Sequence, residues 1–299
     1  MFGTWPIIGK LALRQLPSTG IVMFRIVGAT IAFWIILKLT AAGSERLKIR
    51  DTRDYLQLAL LSLLGVVLNQ FMFVKGLELS TVVNATLLGV AIPIWTLVAS
   101  IFLGREKPSL RATLGILLAM AGVIYLIDPT RAEFSSATTL GNVLLIANTA
   151  AYGAYIALSQ KMVQRYGALT VIGWVFLFGC IIALPVGGYH LAQEPLDLVS
   201  SEVWLAIIYI ILVPTVAAYY LNAWALMRVT PSTVATYVYL QPLIAFALAP
   251  FVLGEQLNSR TWVAAALVFA GVAVTTIKRR PATERTVGVA EYHLSSSGG

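Results

Sequence analysis

The sequence predicts an all-α integral membrane protein with about ten transmembrane helices, arranged as two inverted repeats of five helices. The first observation is composition: 59% of the 299 residues are hydrophobic and 11% are charged, whereas a soluble domain carries about 25% charged residues. The second is a series of apolar segments long enough to cross a bilayer, and the third is an internal repeat. A surface so poor in charge suits lipid, where the exposed faces of helices are apolar.

The apolar segments have the length that a membrane span needs. Crossing about 30 Å of hydrocarbon at about 1.5 Å per residue takes about 20 residues of helix. Short breaks with charged residues, proline or glycine separate the segments. We predict spans near residues 20–42, 55–74, 81–103, 110–127, 140–158, 169–189, 203–227, 232–253 and 261–277.

The internal repeat relates residues 89–127 to residues 239–277. The matched pairs share one offset of 149 positions: Pro93 with Pro242, Glu106 with Glu255, and Gly122 with Gly271. We therefore predict two homologous units, residues 1–127 and 140–277. Because each unit has five helices, an odd number, the second copy must enter the membrane from the opposite side. Inverted repeats of this kind recur in transporters.

The first apolar stretch, residues 1–16, is too short for a full span and contains Lys10 and Arg14. A signal peptide carries its basic residues before its apolar stretch, so we interpret this stretch as a shortened first helix. The offset of the repeat places the start of that helix before Met1. We expect a truncated N-terminus or a misassigned start codon.

The basic residues predict the orientation, because cytoplasmic loops carry an excess of Lys and Arg. With both termini in the cytoplasm, the cytoplasmic breaks hold Arg46, Lys48, Arg50, Arg53, Arg105, Lys107, Arg111, Lys161, Arg165, Arg228, Lys278, Arg279 and Arg280. The external breaks hold Lys10, Arg14, Lys75, Arg131 and Arg260. Residues 278–299 are polar and predict a disordered cytoplasmic tail. We expect a multi-pass protein of the inner or plasma membrane.

Several motifs, in order and in duplicate, give the chain its resemblance to a known family. They are the run FGTWPIIGKLAL at residues 2–13, the breaks LGRE at 103–106 and LGE at 253–255, and the A-G-V helices that follow each break. Over essentially its whole length the chain resembles the EamA-type family of the drug/metabolite transporter superfamily. The resemblance implies a ten-helix carrier for small metabolites. Many members export amino acids, and aromatic amino-acid exporters are the favoured comparison.

Neutral polar and aromatic side chains within the predicted spans are the candidates for substrate binding. Amides supply hydrogen-bond donors and acceptors at a lower burial cost than charges, which suits a zwitterionic substrate. For each residue the alternative is an ordinary packing contact between helices. The candidates are Asn69, Gln70, Asn84, Trp95, Asn148, Tyr152, Tyr155, Tyr219, Asn222, Tyr237, Tyr239 and Gln241.

Two prolines at equivalent positions, Pro93 and Pro242, lie in the middle of predicted spans. A proline inside a helix removes one N–H and frees a carbonyl, which kinks the helix. Lipid tolerates the freed group only where protein or a wet cavity satisfies it. We predict helix kinks at both prolines, which either line a cavity or serve packing alone.

Charges within the spans are scarce. Arg25 lies near the outer end of the second predicted helix, Lys75 and Glu78 lie at an external margin, and no acidic residue lies near the middle of a span. The sequence therefore predicts no proton relay. Cys180 is the only cysteine and the two histidines lie outside the spans, so we predict no metal site and no cofactor.

The function predicted from these features is export of small metabolites, such as amino acids, by alternating access between the two repeats. The alternatives are a pore, a non-transporting membrane component or, less favoured, a membrane-embedded enzyme, for which the sequence offers no nucleophile with a base. The expected partners are a small-molecule substrate and the lipid bilayer. Nucleic acid is not expected, because no contiguous basic face exists. We expect a monomer, with a dimer as the alternative.

Overall fold

The computed structural model describes residues 4–40, 49–127, 138–241, 243 and 259–276, and within these ranges the chain forms helices and turns without any β-strand. The first half contains α1 (Trp5–Ala12), α2 (Ser18–Leu39), α3 (Thr52–Leu79), α4 (Val82–Phe102) and α5 (Leu110–Ile127). The second half contains α6 (Thr139–Tyr166), α7 (Ala168–Leu191), α8 (Ser201–Leu226), α9 (Pro231–Thr236) and α10 (Ser259–Thr276). The predicted all-α fold class is confirmed.

Six of the described helices, α2, α3, α4, α6, α7 and α8, are long and apolar enough to cross a membrane by length and composition. Shorter apolar segments lie in α5 and α10. Helix α9 leads into a 3₁₀ turn at Tyr237–Tyr239, and the described residues directly after this turn are 240, 241 and 243. The chain is therefore a multi-pass membrane protein, and the total of ten spans stays a prediction.

Helix α6 extends beyond the span that the apolar pattern predicted. The predicted span ended at residue 158, whereas the helix continues to Tyr166 and stops before Gly167, whose φ of 83° favours glycine. Arg165 in this extension forms an ion pair of 2.6 Å with Asp54 of α3. The polar residues that suggested a loop are the solvated end of the helix.

Helix boundaries in the two halves recur with the offset of 149 positions seen in the sequence. Helix α3 begins at Thr52 and α8 begins at Ser201. Each of these helices contains a six-residue π-helical segment at the equivalent place, Leu63–Leu68 in α3 and Leu212–Ala217 in α8. Segments of π-helix are rare and are often found at functional sites. The repeat thus includes a local irregularity that both halves share.

Equivalent helices of the two halves pack against each other in opposite directions. Gly187 of α7 lies against Thr19 and Met23 near the start of α2, whereas Gly173 of α7 lies against Leu37 near the end of α2. This antiparallel contact is the relation expected between inverted copies. The limits of the two units, at residues 1–127 and 140–277, stay predictions. The predicted tail lies outside the described residues.

Small residues bring α5 and α10 into close backbone contact. A Cβ added to Gly271 of α10 would lie 2.5 Å from the backbone nitrogen of Ala119 and 2.6 Å from the carbonyl oxygen of Gly115, both in α5. Further along α5, Gly122 lies against the Ala264 carbonyl, so these two helices are antiparallel as well. In lipid, close packing of small residues is a main source of attraction between helices.

The buried apolar side chains form two main cores. The larger core lies among α1, α2, α3, α6, α7 and α8, and a smaller one lies among α4, α5, α10 and the turn after α9. Helix α6 passes through the larger core with 14 buried residues. Phe33 of α2 and Phe176 of α7 are fully buried there, with ring centroids 5.2 Å apart. Polar groups that α6 and its neighbours bring into this core are shielded from solvent.

Candidate substrate site

The two π segments present backbone carbonyls to buried side chains. In α8, Pro214 has no N–H to offer the Ile210 carbonyl, and the Thr215 hydroxyl donates to that carbonyl at 2.7 Å. The equivalent position of Pro214 in α3 is Gly65, whose carbonyl accepts a hydrogen bond from Tyr219 Oη at 2.7 Å. Side chains thus donate hydrogen bonds to carbonyls that have no backbone partner in an irregular helix, as a lipid environment requires.

Tyr219 of α8 joins three helices. Its hydroxyl lies 3.0 Å from Asn69 Oδ1 of α3, in addition to the Gly65 contact. Its ring packs edge to face on Phe176 of α7 with centroids 5.0 Å apart, and the residue is 2% exposed. A phenol has one proton and cannot donate fully to both oxygens. The shorter contact, to the Gly65 carbonyl, is therefore the stronger hydrogen bond.

Helix α6 adds two tyrosines and an amide. The rings of Tyr152 and Tyr155 stack with centroids 5.8 Å apart, and Asn222 Nδ2 of α8 donates to Tyr152 Oη at 2.9 Å. Asn148, one turn before Tyr152, donates from Nδ2 to the Asn69 carbonyl at 2.6 Å. Helices α3, α6 and α8 therefore share one set of neutral donors and acceptors. We name it the polar cluster; it consists of Asn69, Gln70, Asn148, Tyr152, Tyr155, Tyr219 and Asn222.

Gln70 is the member of the polar cluster that lacks partners. It is fully buried, and neither its amide nitrogen nor its amide oxygen forms a hydrogen bond with another described residue. Its amide lies beside the Tyr219 hydroxyl, but the contact does not have the geometry of a hydrogen bond. An unpaired amide in an apolar interior costs about 1–3 kcal/mol. A ligand that offers both a donor and an acceptor would remove this cost.

Arg25 of α2 lies beside the polar cluster and is not one of the candidate residues predicted from the sequence. The residue is 3% exposed, its Nε donates to Thr215 Oγ1 at 3.1 Å, and its guanidinium lies 4.2 Å from the ring centroid of Trp5. It is close enough to Tyr219 and Tyr152 to interact with both electrostatically. The sequence does show a charged residue inside a predicted span, which is typical of a functional residue. It does not show that Arg25 lies beside residues of α8.

Asn84 lies in another network. Its Nδ2 donates to Asn142 Oδ1 of α6 at 2.9 Å and to Ser80 Oγ at 3.1 Å, and the Ser80 hydroxyl donates to the same Asn142 oxygen at 2.7 Å. These bonds tie the turn between α3 and α4 to the start of α6. A role of Asn84 in substrate binding stays a prediction.

The remaining candidates lie around α4 and the turn after α9. Tyr239 is fully buried and its hydroxyl donates to the Val90 carbonyl at 2.9 Å, at the break in α4. Trp95 is 40% exposed and Tyr237 is 49% exposed, while Gln241 is partly buried. None of the four has a described contact with the polar cluster, and their part in binding also stays a prediction.

Pro93 does not kink a continuous helix. Helix α4 is interrupted at Val90 and Ala91, and its second half starts again at Ile92, which makes Pro93 the second residue of a new helix. A proline in the first turn of a helix removes no intrahelical hydrogen bond. The mid-span irregularity was predicted, but its form is a break. Pro242 lies outside the described residues.

A cavity of about 530 Å³ lies among α2, the end of α6, α7 and α8, and no member of the polar cluster lines it. Val216 and Ala217 of the α8 π segment form part of its wall, and Phe33 forms another part. Phe33 packs on Phe176, whose ring in turn packs on Tyr219. Two aromatic side chains therefore separate the cavity from the polar cluster.

Comparison with known proteins identifies the family of the chain. Residues 1–127 and 139–277 match the EamA-like transporter family. The chain belongs to this family. The two matched ranges contain α1 to α5 and α6 to α10. The resemblance inferred from the duplicated motifs is thereby confirmed.

Relatives of this EamA-like transporter come from distant organisms. An uncharacterized transporter of Archaeoglobus fulgidus is 29% identical, with 90% of this chain and 91% of the relative covered. The uncharacterized transporter YetK of Bacillus subtilis is 25% identical, with 93% and 84% covered. A solved crystal structure superposes with a TM-score of 0.74 over 92% of both chains at 18% identity, which shows the same fold. Membrane transport is thus the general activity of the chain.

Proposed function

We propose that this EamA-like transporter exports a small metabolite, such as an amino acid, by alternating access between its two halves. The polar cluster is the main support. Neutral amides and phenols from three helices are buried together beside both π segments, and Gln70 has no described partner. Groups of this kind bind a zwitterionic or neutral polar solute without burying further charge. The outward direction rests on the resemblance to exporters.

The relation between the halves suits alternating access. Equivalent helices α2 and α7 pack antiparallel, as do α5 and α10. When inverted copies exchange conformations, the side that is open to a central site also changes. Both π segments border the polar cluster, at equivalent positions of α3 and α8, where a substrate would contact both halves at once.

Counterflow in proteoliposomes tests the function. Vesicles with purified protein are loaded with an unlabelled neutral amino acid, and uptake of the same radiolabelled compound is followed for a panel that includes aromatic amino acids. A carrier gives saturable uptake that the internal compound accelerates, because substrate binding enables the conformational exchange. A pore gives linear flux without acceleration. Absence of counterflow for the whole panel would contradict amino-acid transport.

Tyr219 provides the matched variants. Tyr219→Phe keeps the ring on Phe176 but removes the hydroxyl that reaches Gly65 and Asn69. Loss of such a hydrogen bond is worth about 1–1.5 kcal/mol, so we expect transport to fall about 5- to 10-fold. Tyr189→Phe is the control, because Tyr189 in α7 is 69% exposed and lines neither the polar cluster nor the cavity. Equal effects of the two substitutions would remove Tyr219 from the site.

A further inference from the structure

The guanidinium of Arg25 is held by two described contacts that leave most of its donors unused. Its Nε–H donates to Thr215 Oγ1, and one of its faces covers the ring of Trp5. Trp5 is fixed in turn, because its ring stacks on Phe73 of α3 with centroids 5.8 Å apart. A guanidinium has five N–H donors. No hydrogen bond joins the four on its terminal nitrogens to another described residue, and these nitrogens are not fully enclosed by protein.

The described carboxylates that form contacts are engaged elsewhere. Asp54 pairs with Arg165, and Glu78 pairs with Lys75. Asp51 and Glu106 accept hydrogen bonds from the backbone N–H groups of Arg53 and Ser232. An arginine stays protonated under all ordinary conditions, so Arg25 carries a buried positive charge without an anionic partner among the described residues. An unpaired buried charge is strongly unfavourable. An anion that binds Arg25 during part of the transport cycle would explain why this charge is retained.

The surroundings of Arg25 are suited to an organic ligand. Thr215, its hydrogen-bond partner, lies one helical turn before Tyr219 in α8. Phe73, which holds Trp5, lies three residues after Gln70 in α3. Arg25 and the unpaired Gln70 are therefore linked through two aromatic residues: the guanidinium lies on Trp5, and Trp5 stacks on Phe73, about one helical turn after Gln70.

We propose that Arg25 binds a carboxylate group of the transported substrate, and that the substrate class is small carboxylic acids, with amino acids among them. A carboxylate matches the planar pair of donors on the terminal nitrogens of arginine in a bidentate arrangement. The Gln70 amide then serves a second polar group of the same molecule. This inference rests on the proposed transport function and adds the chemical group that the site selects.

Matched acids and amides test the proposal. L-phenylalanine, L-leucine and L-threonine compete in the counterflow assay against their own carboxamides, which have nearly the same shape but no carboxylate. We expect wild type to prefer the acids at least about 10-fold, the ratio that a charge-assisted hydrogen bond provides. Arg25→Gln should abolish this preference, and Arg25→Lys should keep part of it.

Arg111→Gln is the control for the loss of a partly buried arginine. Arg111 Nε donates to the Val274 carbonyl at 2.8 Å, between α5 and α10 and away from the polar cluster. We expect this variant to keep the preference for acids. Equal competition by acids and amides in wild type, or an intact preference in Arg25→Gln, would overturn the proposal while the transport function stands.

Binding is measured separately from transport by the thermal stability of purified protein. We expect the acids, but not the amides, to raise the melting temperature of wild type and of Arg111→Gln, and neither series to do so in Arg25→Gln. Stabilisation by acids without any counterflow would support the Arg25 site and contradict the transport function alone. Absence of acid-specific stabilisation together with absence of counterflow would overturn both.

Discussion

Gly65→Ala is expected to damage the polar cluster through a steric conflict with Tyr155. A Cβ at position 65 would lie 2.2, 2.4 and 2.6 Å from three atoms of the Tyr155 ring, whereas carbon atoms in contact lie about 3.5–4.0 Å apart. The ring must move by more than about 1 Å, and at 4% exposure it is closely surrounded. Overpacking costs about 1–3 kcal/mol, against about 1 kcal/mol that alanine gains over glycine in a helix. The net result is a destabilisation of up to about 2 kcal/mol.

The apparent melting temperature of purified protein measures this effect. Gly188→Ala in α7 is the control, because no atom lies within 4 Å of a Cβ added there, and the substitution should leave stability unchanged or raise it. A double-mutant cycle identifies the cause: in a Tyr155→Ala background the ring is absent, and Gly65→Ala should no longer destabilise. The steric explanation is refuted if Gly65→Ala lowers the melting temperature equally in both backgrounds.

Two further predictions concern the breaks between helices. Glu106 Oε1 accepts a hydrogen bond from the Ser232 backbone N–H at the start of α9, 2.9 Å away. Glu106→Ala should therefore lower stability by about 1 kcal/mol in the same melting assay, as loss of a helix cap does. An unchanged melting temperature would contradict this role. In a Cys180→Ser background, Arg105→Cys and Arg260→Cys should react with an impermeant thiol reagent from opposite sides of the membrane. Labelling of both from one side would disprove inverted repeats.

The sequence predicted the helices well because membrane spans depend on length and apolarity alone. Helix α5 occupies residues 110–127 as predicted. The offset of 149 positions also relates the starts of α3 and α8, which lie outside the repeat found in the sequence. The end of α6 was predicted too early because the last part of the helix, residues 159–166, contains polar and charged residues, which a search for apolar spans excludes. The π segment at Leu63–Leu68 was not predictable, since its residues are ordinary helix-compatible residues.

The sequence predicted the candidate site in part, because it shows which spans contain polar residues but not which faces of the helices meet. Asn69, Asn148, Tyr152, Tyr219 and Asn222 are connected by direct contacts, and their part in substrate binding stays a prediction. Trp95 and Tyr237 were chosen by the same criterion and are exposed at 40% and 49%. Arg25 was passed over because its position near a span end suggested an interface, whereas tertiary packing buries it against α1 and α8.

Gln70 and Tyr219 indicate how the polar cluster lies relative to the axis that relates the two halves. They are separated by 149 positions, so they are equivalent residues of the two halves, and each lies two residues after a π segment. Equivalent residues that are neighbours must lie close to the axis that relates the copies. Motions that exchange the conformations of the halves displace groups near this axis least. The side chains differ, however: Tyr219 is satisfied by Gly65, while Gln70 has no hydrogen-bond partner. We therefore expect Gln70, of the two, to be the residue that a substrate contacts.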